Sequence, residues 1–292
     1  MEPTIFPIMD EEKAGRQAIG AIGYRLDEGG PHDSLLHDFE FLIMVVHHEL
    51  NESDPRMEHC LSGKTHYQLL HVAMTDIEHW VVTGEQRDYI QYFMQGEVIW
   101  DINGALSTFR STMSTFNGPI QEKRKLKEFA KFLKAYVEAK RYVADKDSLD
   151  AYYCLLEALK HYAKIELIEQ GVLPESSVWE QVRPLNSVVY KLFDELADNT
   201  ETLEQRIQLI LLACEFGLTS KMADCCTLLL RILGSRKEAW SVQELLRVPE
   251  LEHIQDELPL VLRKLVYRSL AQEFSKSLKE GNGDSRELRY RV

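Results

Sequence analysis

Residues 39–46 read FEFLIMVV, and all but Glu40 are apolar. An apolar run of that length, rich in Phe, Ile and Val, reads as a buried strand. It therefore demands a sheet around it. Ala18 to Tyr24 (AIGAIGY), Thr65 to Val72 (THYQLLHV) and Glu97 to Trp100 (EVIW) are the candidate neighbours. Helices fall between them. Thr75-x-x-Glu78 forms a capping box, opening a helix that ends near Gly84. Arg87 to Gln95 stops at Gly96, where glycine suits a left-handed C-cap, and Ala105 to Met113 is a further helix. Helices interleaved with short strands indicate an α/β or α+β sheet domain.

The chain changes character at Asn117-Gly118-Pro119, after which no strand is predicted. From Ile120 to Ala144, Leu126, Phe129, Leu133, Tyr136 and Val137 recur at helical spacing, with Lys123, Lys127, Lys131, Lys134 and Arg141 on the other face. Leu149 to Gln170 is a second long helix, closed by Gly171. Ser177-x-x-Glu180, Thr202-x-x-Gln205 and Ser241-x-x-Glu244 are capping boxes for later helices. Pro259 to Leu278 is predicted to be one helix, and the last residues from Gly281 to fray. The fold class expected is α+β, a small mixed-sheet domain followed by an all-α helical-bundle region. The expected boundaries are 1–118, 119–234 and 235–292, the last a C-terminal helical segment.

With 292 residues and a net charge of −13, the chain can bury a sizeable core but is a poor general nucleic-acid binder. A locally basic face would be needed, and the tail after Leu260 supplies eight Lys or Arg against four acids. No stretch approaches the roughly 20 apolar residues of a membrane span. Acids at positions 2, 10, 11 and 12 are unlike a signal peptide. The five cysteines are odd in number, fitting reduced thiols in the cytoplasm, and Cys225-Cys226 reads as core packing.

Asp38 and Glu40 stand two apart at the start of the buried strand, so alternation points both carboxylates to one face. Adjacent anions need solvent or a cation, and Mg²⁺ favours one or two carboxylates plus substrate phosphates. The plainer reading is a loop end beside an exposed sheet edge. His47-His48 would point to opposite faces and lacks zinc-site spacing. His161 fits either an acid-base residue or an ordinary surface or core histidine.

An apolar strand with Gly20-Ala21-Ile22-Gly23, a turn-rich loop, and acid-x-acid entering the next strand resembles the nucleotidyltransferase superfamily. The segment Ala151 to Gly171 resembles the helical domain of the kanamycin-nucleotidyltransferase-like and minimal types. Overall the chain resembles bacterial nucleotidyltransferase-like proteins whose C-terminal segment has helix-turn-helix-like character. That resemblance implies nucleoside monophosphate transfer from a nucleoside triphosphate with divalent metal. Alternatively, it implies a catalytically degenerate fold acting as a regulatory or binding module. Asp38 and Glu40 take the metal-binding and catalytic positions, with Mg²⁺ as the implied cofactor. Gly23 and Tyr24 take the nucleotide-binding ones, Tyr24 replacing a small residue, while Lys127 and Lys131 of the basic stripe are candidates to hold triphosphate or an RNA backbone, against the plainer reading of a solvated helix face. The family's third carboxylate has no counterpart in Thr65 to Val72, where His66, Gln68 and His71 are the polar residues. The implied partners are a nucleoside triphosphate, and nucleic acid or protein through the C-terminal helices. A homodimer is also compatible, and no membrane is expected.

Overall fold

A computed structural model describes residues 18–25, 39–50, 56–116, 118–185, 187–197, 200–277 and 286–292. The chain divides into two compact units, 1–115 and 116–292. Asp38, the turn at residues 28–31 and the N-terminal acids lie outside the described residues.

The first unit is built on a five-stranded mixed sheet of β1 (Ala18–Arg25), β2 (Phe41–His47), β3 (Met57–Ser62), β4 (Thr65–Ala73) and β5 (Glu97–Asp101). The order is β3-β4-β2-β1-β5, with β2 and β4 parallel and the other pairs antiparallel. The apolar run is the central strand, as its composition requires: Leu42 to His47 are all buried. Helices α1 (Met74–Thr83), α2 (Arg87–Gln95) and α3 (Ala105–Thr115) complete the unit.

Three local expectations change. Strand β3 was not anticipated, because its residues alternate only between exposed and half-buried. An edge strand of that kind leaves no apolar stripe to read. Helix α1 starts before Thr75; the Ala73 amide donates to Asp76 Oδ2 at 3.1 Å, so Asp76 takes the capping role expected of Glu78. Gly96 is extended (φ −64°, ψ 154°) rather than left-handed. It is needed for space: a Cβ there would meet the Ile22 side chain and lie 2.6 Å from the Tyr92 carbonyl. Gly84, by contrast, does close α1 in the left-handed region.

The second unit is mainly helical. Its frame is the hairpin of α4 (Gly118–Ala144) and α5 (Ser148–Glu169), followed by α6 (Val178–Val182), α7 (Val188–Ala197), α8 (Leu203–Cys225) and α9 (Thr227–Leu233). Apolar positions at helical spacing bury Leu126, Phe129, Leu133 and Tyr136 of α4 against Leu155, Leu159 and Tyr162 of α5. Phe132 stacks on Tyr162 at 5.1 Å. Gly217 lets α8 approach, since a Cβ there would sit 2.8 Å from the Tyr162 ring. The Thr202 box forms in full: Gln205 N donates to Thr202 Oγ1 and Thr202 N to Gln205 Oε1. Ser177 starts α6 without a side-chain cap bond. All five cysteines are free, and Cys225 and Cys226 pack in the core as expected.

The C-terminal segment departs from the all-helical expectation. After β6 (Trp240–Ser241), α10 (Val242–Leu245) and a 3-10 turn at Pro249–Ile254 comes α11 (Leu258–Tyr267). Two strands follow, β7 (Gln272–Ser277) and β8 (Arg286–Arg291), in a sheet of order β6-β8-β7. The predicted helix to Leu278 ends early because Ser269 turns left-handed (φ 58°), while Leu270 N bonds back to Leu265 O. That is a Schellman-like stop without glycine. Among the described residues no helix is long and apolar enough to cross a membrane.

Candidate functional site

Of the residues singled out from sequence, Gly23, Tyr24 and Glu40 stand at the end of the first sheet where β1 finishes and β2 begins, whereas Lys127 and Lys131 belong to the second unit. Antiparallel register pairs Gly23 with Ile43, Tyr24 with Leu42 and Arg25 with Phe41. Glu40, exposed, stands one residue before β2, and its amide donates to the His66 carbonyl of β4 at 2.9 Å. The parallel register then runs Phe41 to Tyr67 and Leu42 to Gln68. Carried back by one residue, Glu40 lies beside His66. Alternation puts Tyr24, Glu40, Leu42, His66 and Gln68 on one face.

This register sorts the three polar residues of β4. His66 is exposed next to Glu40, and Gln68 is buried beside Leu42. His71 lies on the opposite face, buried, with its Nδ1 3.0 Å from His47 Nε2. His48 is exposed while His47 is buried, as strand alternation demands. Tyr24 is half-buried and its ring lies 4.5 Å from that of Tyr92 on α2. Tyr92 continues to Tyr89 at 6.3 Å, and Tyr89 to Trp80 at 5.8 Å. Burial, then the neighbouring Asp88 carboxylate and Tyr24, push the Tyr92 phenol up. Sequence reading missed this aromatic row because its members are spread over β1, α1 and α2. Arg25, exposed at the same sheet end, holds its guanidinium 5.7 Å from the Phe41 ring centroid.

In the second unit the lysine stripe of α4 is half-buried and partly occupied. Lys131 Nζ lies 2.9 Å and Lys134 Nζ 3.3 Å from Glu257 Oε1. Glu257 is buried at the start of α11; burial raises its carboxyl, but the two lysines outweigh that and lower it. Lys127 is also half-buried. His161 belongs to a buried network around Glu128. Its Nδ1 is 2.6 Å from Glu128 Oε2, Arg124 Nη2 is 2.9 Å from Oε1, and Lys164 Nζ is 3.4 Å from Oε2. Burial alone would raise the Glu128 carboxyl. The His161 hydrogen bond and the charges of Arg124 and Lys164 hold it well below the ordinary range instead.

Among the described residues, one group of three potential metal ligands closes up: Glu169, Asp224 and Cys225. It is poorly suited to a metal. Lys221 pairs with Glu169 at 2.5 Å and Lys125 with Asp224 at 2.6 Å, while burial pushes the Cys225 thiol up. The adjoining cleft of about 350 Å³ is lined by Glu166, Glu169, Ser187 and Lys221.

A fold with a mixed sheet, acid at the start of the central strand and a helical second unit defines a nucleotidyltransferase-like protein. Comparison with known proteins bears this out. The family described as "Nucleotidyltransferase-like" matches residues 1–123, and "YgxA-like substrate binding domain" matches 122–221. The uncharacterized protein YgxA of Bacillus subtilis (strain 168) is 31% identical over 274 residues, 92% of this chain and 90% of that protein. The crystal structure of a nucleotidyltransferase-like protein from Exiguobacterium sibiricum 255-15 superposes with a TM-score of 0.85 at 25% identity. It covers 99% of this chain and 98% of that one. The chain belongs to the YgxA-like branch of the nucleotidyltransferase-like family. The Glu128 network falls entirely within the stretch matched as substrate binding.

Proposed function

We propose that the sheet end carrying Glu40 binds a nucleoside triphosphate together with Mg²⁺, and that the chain works in the cytoplasm as a nucleotide-responsive binding module with weak or no transfer activity. One observation carries this: the residue beside Glu40 on β4 is His66, where a third carboxylate is expected. The donor set suits the ion. Glu40 is exposed and offers a hard oxygen, Asp38 precedes it by two residues, and Mg²⁺ is commonly held by one or two carboxylates plus phosphates. When bound, the ion supplies charge neutralisation at the phosphates. Arg25 stands at the same sheet end but, paired with Phe41, on the face opposite Glu40. Tyr24, its ring tilted against that of Tyr92, fills the place where a small residue would let backbone approach the phosphates.

A second reading, transfer of a nucleoside monophosphate, is favoured by the exposure of His66. An imidazole next to Glu40 is placed to take the proton of an attacking hydroxyl, as the missing carboxylate would.

Titration calorimetry with ATP, CTP, GTP and UTP in the presence of Mg²⁺ tests the first claim. Binding should require the metal and vanish in Asp38→Ala/Glu40→Ala. Wild type that binds no nucleotide with Mg²⁺ or Mn²⁺ sinks both readings. A pyrophosphate-release assay on the same samples separates them.

A further inference from the structure

The C-terminal segment has a topology that its sequence concealed. Short β6 lies between α9 and α10 and pairs with β8, a 3-10 turn separates α10 from α11, and the antiparallel pair β7–β8 follows α11. Three helices with a hairpin appended after the third are the winged form of the helix-turn-helix arrangement. We propose that this segment binds double-stranded DNA, with the outward face of α11 and strand β7 as the contact surface. The proposal does not depend on the nucleotide site.

Helix α11 is amphipathic in the required sense. Leu258, Val261, Leu262 and Leu265 are buried, whereas Pro259, Arg263 and Tyr267 are exposed. Tyr267 is 73% exposed, with Lys264 Nζ 5.3 Å and the Arg268 guanidinium 5.7 Å from its ring centroid. Burial, then Glu273 of β7, push the Tyr290 phenol of β8 up, and the Arg263 charge of α11 opposes them. Four residues, 268–271, join α11 to β7. Lys276 is exposed on β7. Burial first, then Arg268, lower the Lys264 ammonium, while the Glu215 carboxylate of α8 opposes them.

Charge argues for a polyanion. The chain carries −13 overall, yet residues 261–292 hold eight Lys and Arg against four acids. A local sign reversal on an acidic protein is a footprint for phosphate. Exposed Glu250, Glu252 and Asp256 flank the first turn of α11, so contact falls on its C-terminal half and β7. Glu257 adds no repulsion, being neutralised by Lys131 and Lys134. The B-form major groove admits an α-helix, whereas the A-form groove of duplex RNA is too narrow. That favours DNA. The other exposed face, Leu209, Leu212 and Phe216 on α8, has nothing beside it that identifies an occupant.

The test is fluorescence anisotropy of the full chain with a labelled mixed-sequence DNA duplex at low and moderate salt. We expect binding at low salt that weakens by about tenfold or more on raising salt from 50 to 200 mM. Arg263→Glu/Lys276→Glu should abolish it, and Tyr267→Ala, at an exposed site, should weaken it without changing the circular dichroism. Lys160→Glu, on α5, should leave it intact. No binding at low salt, binding unchanged in both α11 variants, or equal affinity for duplex RNA would overturn the proposal.

Discussion

Glu40 and His66 are bound neighbours: the Glu40 amide donates to the His66 carbonyl at 2.9 Å, placing an imidazole beside the one described acid of the site. If the missing third carboxylate limits turnover, restoring it should restore chemistry. His66→Asp is expected to raise pyrophosphate release from MgATP above the wild-type background, and His66→Ala to leave nucleotide affinity within about threefold, since it removes no phosphate contact. Wild type that already turns over, and slows in both variants, would instead give the base's role to the imidazole.

Glu128 anchors the second unit. Glu128→Gln leaves Arg124 and Lys164 buried without the carboxylate they share, a loss of about 3–5 kcal/mol in unfolding free energy by denaturant titration. The pH dependence follows from the direction of its shift. The folded carboxyl is held far below its ordinary 4.5, so the stabilisation is full above that pH and fades as pH falls through the folded value. The gap between wild type and Glu128→Gln should therefore narrow in acid. A gap unchanged between pH 7 and pH 3 would exclude this origin.

Thiol chemistry reads the packing of the second unit. Cys154, Cys214, Cys225 and Cys226 are buried, and burial raises their thiols, Cys214 to about 12. Cys60 alone is half-buried. A chromogenic disulfide reagent should find one fast-reacting thiol in the native protein and five after denaturation. Cys60→Ser should remove the fast phase.

Gly96→Ala should cost about 1–3 kcal/mol, because a methyl group would press on Ile22 and the Tyr92 carbonyl. Gly84→Ala should also destabilise, but through its positive φ of 70° and without a clash at Ile22. Thermal denaturation of the two variants measures both.

The fold was legible where side chains announce their burial. FEFLIMVV read as a buried strand and is the central one, and the spacing of Leu126, Phe129 and Leu133 read as an amphipathic helix and is one packed in the core. Strands β3 and β7 escaped because an exposed edge strand carries no apolar alternation; Phe274 is the only large apolar residue of β7. The end of α11 escaped because a serine, not a glycine, takes the left-handed position. At the site, the sequence supplied the acids and named His66, Gln68 and His71 as rivals. Only strand register could say which of them borders Glu40. The basic stripe of α4 looked like open surface, since Glu257 lies more than a hundred residues away along the chain.

The central claim is that a metal–nucleotide complex sits at Glu40 and His66. The direct measurement is NMR of the histidine side chains during titration with Mn²⁺ and ATP, because a paramagnetic ion broadens resonances close to it. The His66 imidazole should broaden first and only when nucleotide and metal are both present, while half-buried His161, held on Glu128, stays sharp. Asp38→Ala/Glu40→Ala should abolish the effect. A His66 signal unmoved at saturating Mn²⁺ and ATP would contradict the account. So would broadening confined to residues around Glu169 and Asp224.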